Sequence, residues 1–156
     1  MKRDTLLVRE AVEEDLGAVL SLYAHLHDAD EEDDDRALER AWREILADPR
    51  THLFLLEYEG APVSTCVLHI LPNLTRGTRP YGLVENVVTR REYRNRGFGT
   101  ALLNHALESA WEEDCYKVML LTGRNEQNVF RLYEKAGFAR GVKEGLIAYP
   151  PPPGGL

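Results

Sequence analysis

The segment Arg94-Asn95-Arg96-Gly97-Phe98-Gly99-Thr100 constrains this chain more than any other stretch. It follows an apolar, strand-sized run over 82–89 and opens a helical pattern over 97–114. A strand that turns through arginine and glycine into a helix leaves the free N–H groups of the first helical turn pointing outward. The helix dipole adds to their positive potential. Glycines at 97 and 99 let the backbone approach a ligand closely, and Arg94 and Arg96 can add charge-assisted hydrogen bonds. The arrangement suits a pyrophosphate. A solvated arginine loop capping a helix has the same composition, so the pattern alone leaves both readings open. The Gly-Lys-Ser/Thr ending of a triphosphate loop is absent, and so is Gly-x-Gly-x-x-Gly, which disfavours a dinucleotide-binding oxidoreductase.

Charge makes this cluster stand out. Nineteen Lys and Arg against 26 Asp and Glu leave a net charge of −7, which argues against a general nucleic-acid binder. Arg90, Arg91, Arg94 and Arg96 nevertheless gather within seven residues. A net-acidic chain with one tight basic cluster is suited to a compact anion. At 156 residues the chain reads as one domain over 1–149, at roughly 150 residues per domain. A Pro/Gly-rich tail over 150–156 is expected to be disordered. No apolar run reaches the roughly 18 residues of a membrane span, and the N-terminus carries no signal-peptide pattern. Two distant cysteines, Cys66 and Cys115, fit a reduced, cytoplasmic protein.

The periodicities predict a short strand over 5–9, an amphipathic helix over 12–27 carrying Val12, Leu16, Val19, Leu20 and Tyr23, and a second helix over 34–47. Strands over 51–59 and 62–71 form a hairpin through Glu59-Gly60-Ala61. Beyond the loop 72–80 come a strand over 82–89, a connection over 90–96 and the long helix over 97–114, its inner face carrying Leu103, Ala106 or Leu107, and Ala110 or Trp111. An apolar strand follows over 116–122, then a helix over 126–136 ended by Gly137, then a short strand over 146–149. Alternating elements after a hairpin make a mixed α/β (α+β) domain.

The strand Leu83-Val84-Glu85-Asn86-Val87-Val88-Thr89, then Arg94-x-x-Gly97-x-Gly99, then Leu132-Tyr133-Glu134-Lys135-Ala136-Gly137-Phe138 stand in one order. Over about 83–138 this resembles the GNAT superfamily of acetyl-CoA-dependent N-acetyltransferases, whose motifs are Gln/Arg-x-x-Gly-x-Gly/Ala and Tyr-x-x-x-Gly-Phe. Cys115-Tyr116-Lys117-Val118, Glu85 and the segment around Tyr133 also resemble glucosamine-6-phosphate N-acetyltransferases, although such strings recur among relatives acting on many amines. The resemblance implies the acyl-CoA N-acyltransferase fold, a mixed, mostly antiparallel central sheet flanked by helices. It implies acetyl-CoA as co-substrate and a small-molecule amine as acceptor, without a metal, nucleic acid or membrane as partner. A homodimer is an expectation of the family.

Residue by residue, the resemblance implies that Val87, Val88 and Thr89 hold the pantetheine arm, an N–H near Val87 or Val88 facing the thioester oxygen. It implies that Arg94, Asn95, Arg96, Gly97, Phe98, Gly99 and Thr100 hold the pyrophosphate, and that Tyr133 is the general acid near the sulfur. By spacing alone Tyr133 is a core tyrosine. Glu85 is the candidate base. On a regular strand it shares a face with Leu83, Val87 and Thr89, where partial burial would raise its pKa. A structural acid paired with a nearby arginine is an equal reading of it, and Asn86 reads as packing or substrate contact. Two departures stand out. The family's asparagine seven residues before the tyrosine is Glu126 here, so Asn125 or Asn128 is expected to take its contact, and the closing strands are abbreviated.

Other signals are weaker. Only His25-x-His27 has paired spacing, and a helix end accounts for it. Cys66 and Cys115 read as apolar residues, and the glycosylation string Asn73-Leu74-Thr75 as coincidence. Residues 28–35 hold seven acids in eight and read as a solvated loop, or as an attractor of a cationic amine. Arg76 and Arg79 in the loop 72–80 favour an anionic amine instead. Retention of Glu85 and Tyr133 favours an enzyme over a non-catalytic acyl-CoA-binding regulatory module. A protein lysine or N-terminus is an alternative acceptor.

Overall fold

In the computed structural model, which describes residues 5–26 and 34–153, the hairpin read from 51–71 lies at the centre of the sheet. Its strands are β2 (Thr51–Tyr58) and β3 (Ala61–Leu71). The turn is the two-residue kind that matches strand twist, because both linking residues take positive φ, 52° at Glu59 and 83° at Gly60. β1 (Leu6–Glu10) pairs antiparallel with β2, and β4 (Tyr81–Thr89) antiparallel with β3. β5 (Val118–Met119) completes the order β1-β2-β3-β4-β5 and runs parallel to β4. The sheet is therefore mixed and mostly antiparallel, as expected.

The run Leu53-Phe54-Leu55-Leu56 is apolar throughout because helices cover both faces of the sheet. Phe54 and Leu56 face one core, shared with Leu68, Val84 and the Leu102, Leu103, Ala106 and Ala110 row of α3 (Phe98–Glu112). Leu53 and Leu55 face the other, with Val19 and Leu22 of α1 (Leu16–Tyr23) and Trp42 of α2 (Asp35–Ala47). Each such side chain contributes about 1.5–3 kcal/mol on burial. α4 (Gln127–Ala136) packs beside α3 and ends at Gly137, φ 108°, as the glycine predicted. On α3 it is Ala106 and Ala110 that face inward, while Trp111 is half exposed.

Polar ties fix the first strand and helices. Arg9 forks onto Asp15 at 2.6 and 2.9 Å and reaches Glu57 from its Nε at 2.8 Å. The Trp42 indole donates to the Glu13 carbonyl at 3.0 Å, holding α2 to the turn before α1.

Three sequence expectations change. The helix expected over 12–27 divides into a 3-10 turn (Glu13–Asp15) and α1, with Val12 exposed; His27 lies outside the described residues. The strand expected over 116–122 pairs only at Val118 and Met119. The strand expected over 146–149 does not form, and Leu146 and Tyr149 are 92% and 82% exposed.

A bulge accounts for the short β4–β5 ladder. Thr65 pairs with Val88 and Val67 with Glu85, so two steps on β3 span three on β4. Asn86 absorbs the extra residue with φ 53°. Such a bulge bends its strand and raises the twist, and β4 turns away from β5 after Leu83.

Candidate active site

A cavity of about 690 Å³ lies where β4 and β5 part, a volume that suits a small-molecule ligand. It lies beyond the carboxyl ends of two neighbouring parallel strands, the usual place for a ligand in such sheets. Its walls come from β4 (84–89), the start of α3, residues 120–124 after β5, the inner side of α4, and Leu26 after α1.

The floor is the Arg/Gly segment. α3 makes its first internal bond from the Ala101 N–H to the Gly97 carbonyl at 3.0 Å, so the N–H groups before it have no intrahelical acceptor. Asn95 and Gly97 both take left-handed backbone, φ 60° and 81°. Left-handed residues near a helix start turn adjacent N–H groups toward one anion-binding concavity. Arg94 is anchored by its Nε donating to the Thr89 carbonyl at 3.0 Å. Burial, then the charges of Arg124 and Arg91, hold its pKa below the ordinary arginine value. A cation pressed by burial and by its own kind is stabilised by an arriving anion. Val87, Val88, Asn95, Phe98 and Thr100 also line the cavity, and Asn86 and Val87 fall in the unpaired step of the bulge.

Several predicted residues stand otherwise than expected. Gly99 lines the cavity and also serves helix packing: a Cβ there would sit 2.9 Å from Leu132 Cδ1 and 3.5 Å from Thr89 Oγ1. Arg96 is not among the lining residues; its guanidinium lies 4.5 Å from the Tyr58 ring centroid and 4.9 Å from that of Phe98. Of the two asparagines, Asn128 lines the cavity and Asn125 does not, while Glu126 does. Arg76 sits over the Tyr116 ring, and Arg79 bonds Asp114 and the Cys115 carbonyl. Both therefore lie toward the C-terminal end of α3, away from the cradle at its N-terminus. The acidic run lies outside the described residues except for Asp34, which caps α2, and Asp35.

Glu85 does line the cavity, but it is exposed rather than partly buried. The bulge reverses the alternation: Val84 and Val87 pack toward α3, and Val88 toward α1 and α2. Glu85 therefore does not share the face of Val87. Burial raises the pKa of the Tyr23 phenol, and the Asn86 side chain opposes the rise.

Tyr133 stands on the opposite wall, its ring edge-on to Phe138 at 6.2 Å. Burial raises the phenol pKa, Arg124 opposes the rise, and Cys66 and Glu85 add to it. A phenol held above its ordinary value keeps its proton at neutral pH and can donate it. Sequence reasoning missed the cations Arg124, Arg131 and Lys135 on the same walls. The i,i+4 spacing of Arg131 and Lys135, beside Leu132 and Tyr133, was a readable signal. Arg124 carried none, because its place depends on where β5 ends. Among the described residues no three His, Cys, Asp or Glu gather into a metal-ligating group, and no helix is long and apolar enough to cross a membrane.

Comparison with known proteins agrees with this geometry. Residues 19–138 match the family model described as acetyltransferase (GNAT) family. The glucosamine 6-phosphate N-acetyltransferase of Trypanosoma brucei brucei is 33% identical over 139 residues, covering 85% of this chain and 88% of that protein. A solved Agrobacterium tumefaciens str. C58 chain, provisionally designated an acetyltransferase, superposes with a TM-score of 0.85 at 40% identity, covering 92% of this chain and 99% of that one. The glucosamine-6-phosphate N-acetyltransferase of Arabidopsis thaliana shares the fold, with a TM-score of 0.79 at 22% identity over 94% of this chain and all of that one. The matched span contains the cradle, the split between β4 and β5, and the helix bearing Tyr133, and the chain belongs to the GNAT family as an acetyl-CoA-dependent N-acetyltransferase.

Proposed function

We propose that the enzyme acetylates a primary amine of a small molecule by direct attack in a ternary complex, with Glu85 as base and Tyr133 as acid. The observation that carries this is the cavity between β4 and β5, which has an anion cradle at its floor and these two groups on its walls. The residues present fit the coenzyme: free helix N–H groups and Arg94 suit its diphosphate, and the unpaired bulge of β4 offers backbone groups to its amide-bearing arm. Acetyl-CoA supplies the activated acetyl group as a thioester.

Glu85, exposed in the cavity, takes the proton of the incoming ammonium, directly or through one water. The amine nitrogen forms its bond to the acetyl carbon as the carbon–sulfur bond breaks. An N–H near Val87 or Val88 faces the carbonyl oxygen, where a preorganised donor is worth about 3 kcal/mol. Tyr133 gives its proton to the departing sulfur, and the second proton shed by the acylated nitrogen restores the phenol. The 33% identical Trypanosoma brucei brucei relative supports a small amine as acceptor, and an amino sugar phosphate heads the candidates. A homodimer is part of the same reading, supported by exposed Leu121, Val142, Leu146, Ile147 and Tyr149; sedimentation equilibrium measures it.

Thiol release from acetyl-CoA, followed across amino sugars, their phosphates, polyamines, aminoglycosides and amino acids, tests the function. One or a few amines are expected to stimulate release, and Glu85→Gln to lower kcat/KM by roughly 10²-fold. Tight coenzyme binding with no release for any amine, peptide or protein would replace the enzyme with a regulatory acyl-CoA binder.

A further inference from the structure

We propose that Arg96 is a positioning residue, which fixes the anion cradle by cation–π stacking on an aromatic cluster instead of touching the coenzyme. The inference rests on the reading of 94–100 as the diphosphate site.

Arg96 lies between the two left-handed residues of the cradle, Asn95 and Gly97. Those two line the cavity, and Arg96 does not. Its side chain instead reaches a cluster of three rings, two of which belong to the lining residues Tyr93 and Phe98. There the guanidinium carbon is 4.5 Å from the Tyr58 centroid, 4.9 Å from Phe98 and 5.6 Å from Tyr93. All three distances are within the roughly 6 Å at which a cation is attracted to a ring face. The rings also pack on one another, Tyr58 to Phe98 at 5.1 Å, Tyr58 to Tyr93 at 5.9 Å and Tyr93 to Phe98 at 6.3 Å.

These rings come from three separate elements. Tyr58 ends β2 and closes the hairpin against Ala61. Tyr93 belongs to the 3-10 turn (Arg91–Tyr93) after β4, and Phe98 is the first residue of α3. One guanidinium thus ties the rigid hairpin to both ends of the loop that must hold two left-handed residues. The N–H groups at the start of α3 are held in place before any anion arrives, and preorganisation of this kind raises affinity by removing an ordering cost. A guanidinium is planar and stacks on aromatic faces, which the compact ammonium of lysine does less well. Arg94, anchored on Thr89, remains the cation of this segment that lines the cavity.

The test is calorimetric binding of coenzyme A to the full chain, combined with amide hydrogen exchange over 97–100 in the free protein. Arg96→Ala is expected to weaken binding roughly tenfold, about the worth of two exposed cation–π contacts, and to speed exchange at those amides. Tyr58→Leu, which keeps apolar packing but removes one ring, is expected to act in the same direction by about half as much on a logarithmic scale, because Phe98 and Tyr93 still hold Arg96. The double variant should be no worse than Arg96→Ala alone, since the Tyr58 contact is among those that Arg96→Ala already removes. Arg96→Lys should recover part of the loss, and kcat at saturating coenzyme should stay within about twofold.

If Arg96→Ala weakens binding while Tyr58→Leu leaves it unchanged, Arg96 is a direct phosphate ligand and the proposal fails while the cradle stands. If neither variant changes binding or exchange, Arg96 has no positioning role. If the unaltered protein takes up no coenzyme A, the cradle reading fails and the inference with it.

Discussion

The β2–β3 and β4–β5 ladders belong to one sheet yet differ in kind. β2 pairs with β3 over its whole length through a two-residue turn, with one register shift between Leu56 and Glu57, and Leu53, Phe54, Leu55 and Leu56 are all buried. β4 and β5 share two residue pairs, part at the bulge, and leave an open volume of about 690 Å³. The first ladder is covered by helices on both faces and holds the molecule together. The second gives up backbone hydrogen bonds that a ligand can replace, and its neighbours are charged. Stability and chemistry are thus separated along the sheet, and variants on the two ladders should change different observables.

The largest expected effect belongs to the open side. Tyr133→Phe should lower kcat by about 10²–10⁴-fold, the usual share of general acid–base catalysis. Coenzyme affinity and melting temperature should stay near those of the parent, and steady-state kinetics beside a thermal melt measure all three. Loss of the fold would show that the two ladders are not separable in this way.

On the closed side, Leu55→Ala removes a side chain with no exposed surface. It should cost about 2–5 kcal/mol of stability, read from urea unfolding. Coenzyme binding by the folded fraction should be unchanged, which Tyr133→Phe cannot show in reverse.

Arg94→Ala sharpens the comparison at the cradle. Removing a charge-assisted contact of about 1.5–3 kcal/mol should weaken coenzyme A binding roughly tenfold to a hundredfold in calorimetry. The salt dependence of binding should also fall. An unchanged affinity would remove Arg94 from the diphosphate site.

The smallest effect is expected far from the cavity. Asp15 accepts two bonds from Arg9 and one from the Val12 N–H. The Arg9 hydrogen bond comes first in holding its pKa below the ordinary carboxylate value, despite burial. A depressed folded-state pKa gives stability that is present above the unfolded value, near 4, and lost as pH falls through the folded one. Asp15→Asn should therefore cost about 1–2 kcal/mol at pH 7, less because Glu57 still holds Arg9. The difference from the parent should shrink in melts taken below pH 4. A difference that grew in acid would contradict the assignment.

Much of the lining of the candidate site is legible in the sequence, and the exceptions share a cause. Arg94, Gly97 and Thr100 stand where the strand–glycine–helix pattern put them, because a helix N-terminus is a local structure with local signals. Tyr133 lines the cavity, although spacing alone reads it as a core tyrosine and only the family resemblance points to the site. Period-2 alternation gives Glu85 the face of Leu83, Val87 and Thr89, which holds only while the ladder is regular. The extra residue at Asn86 is visible only against β3, so no local pattern announces it. Arg96 and Arg94 are indistinguishable in the sequence, two arginines of one cluster. Which of the two faces the cavity depends on Tyr58, about 40 positions earlier in the chain. Arg124 entered the site because β5 stops at Met119.

The amino-acid sequence alone determined the elements with local causes: the Glu59-Gly60 turn, the two-faced apolar run over 53–56, the glycine at the end of α4 and the arginine-rich start of α3. These depend on backbone preferences and spacing over a few residues. Only the tertiary structure decided how far β5 pairs, where β4 bulges and which cations line the cavity. Each of those outcomes is a competition between strands and helices distant in sequence, and packing between them settles it.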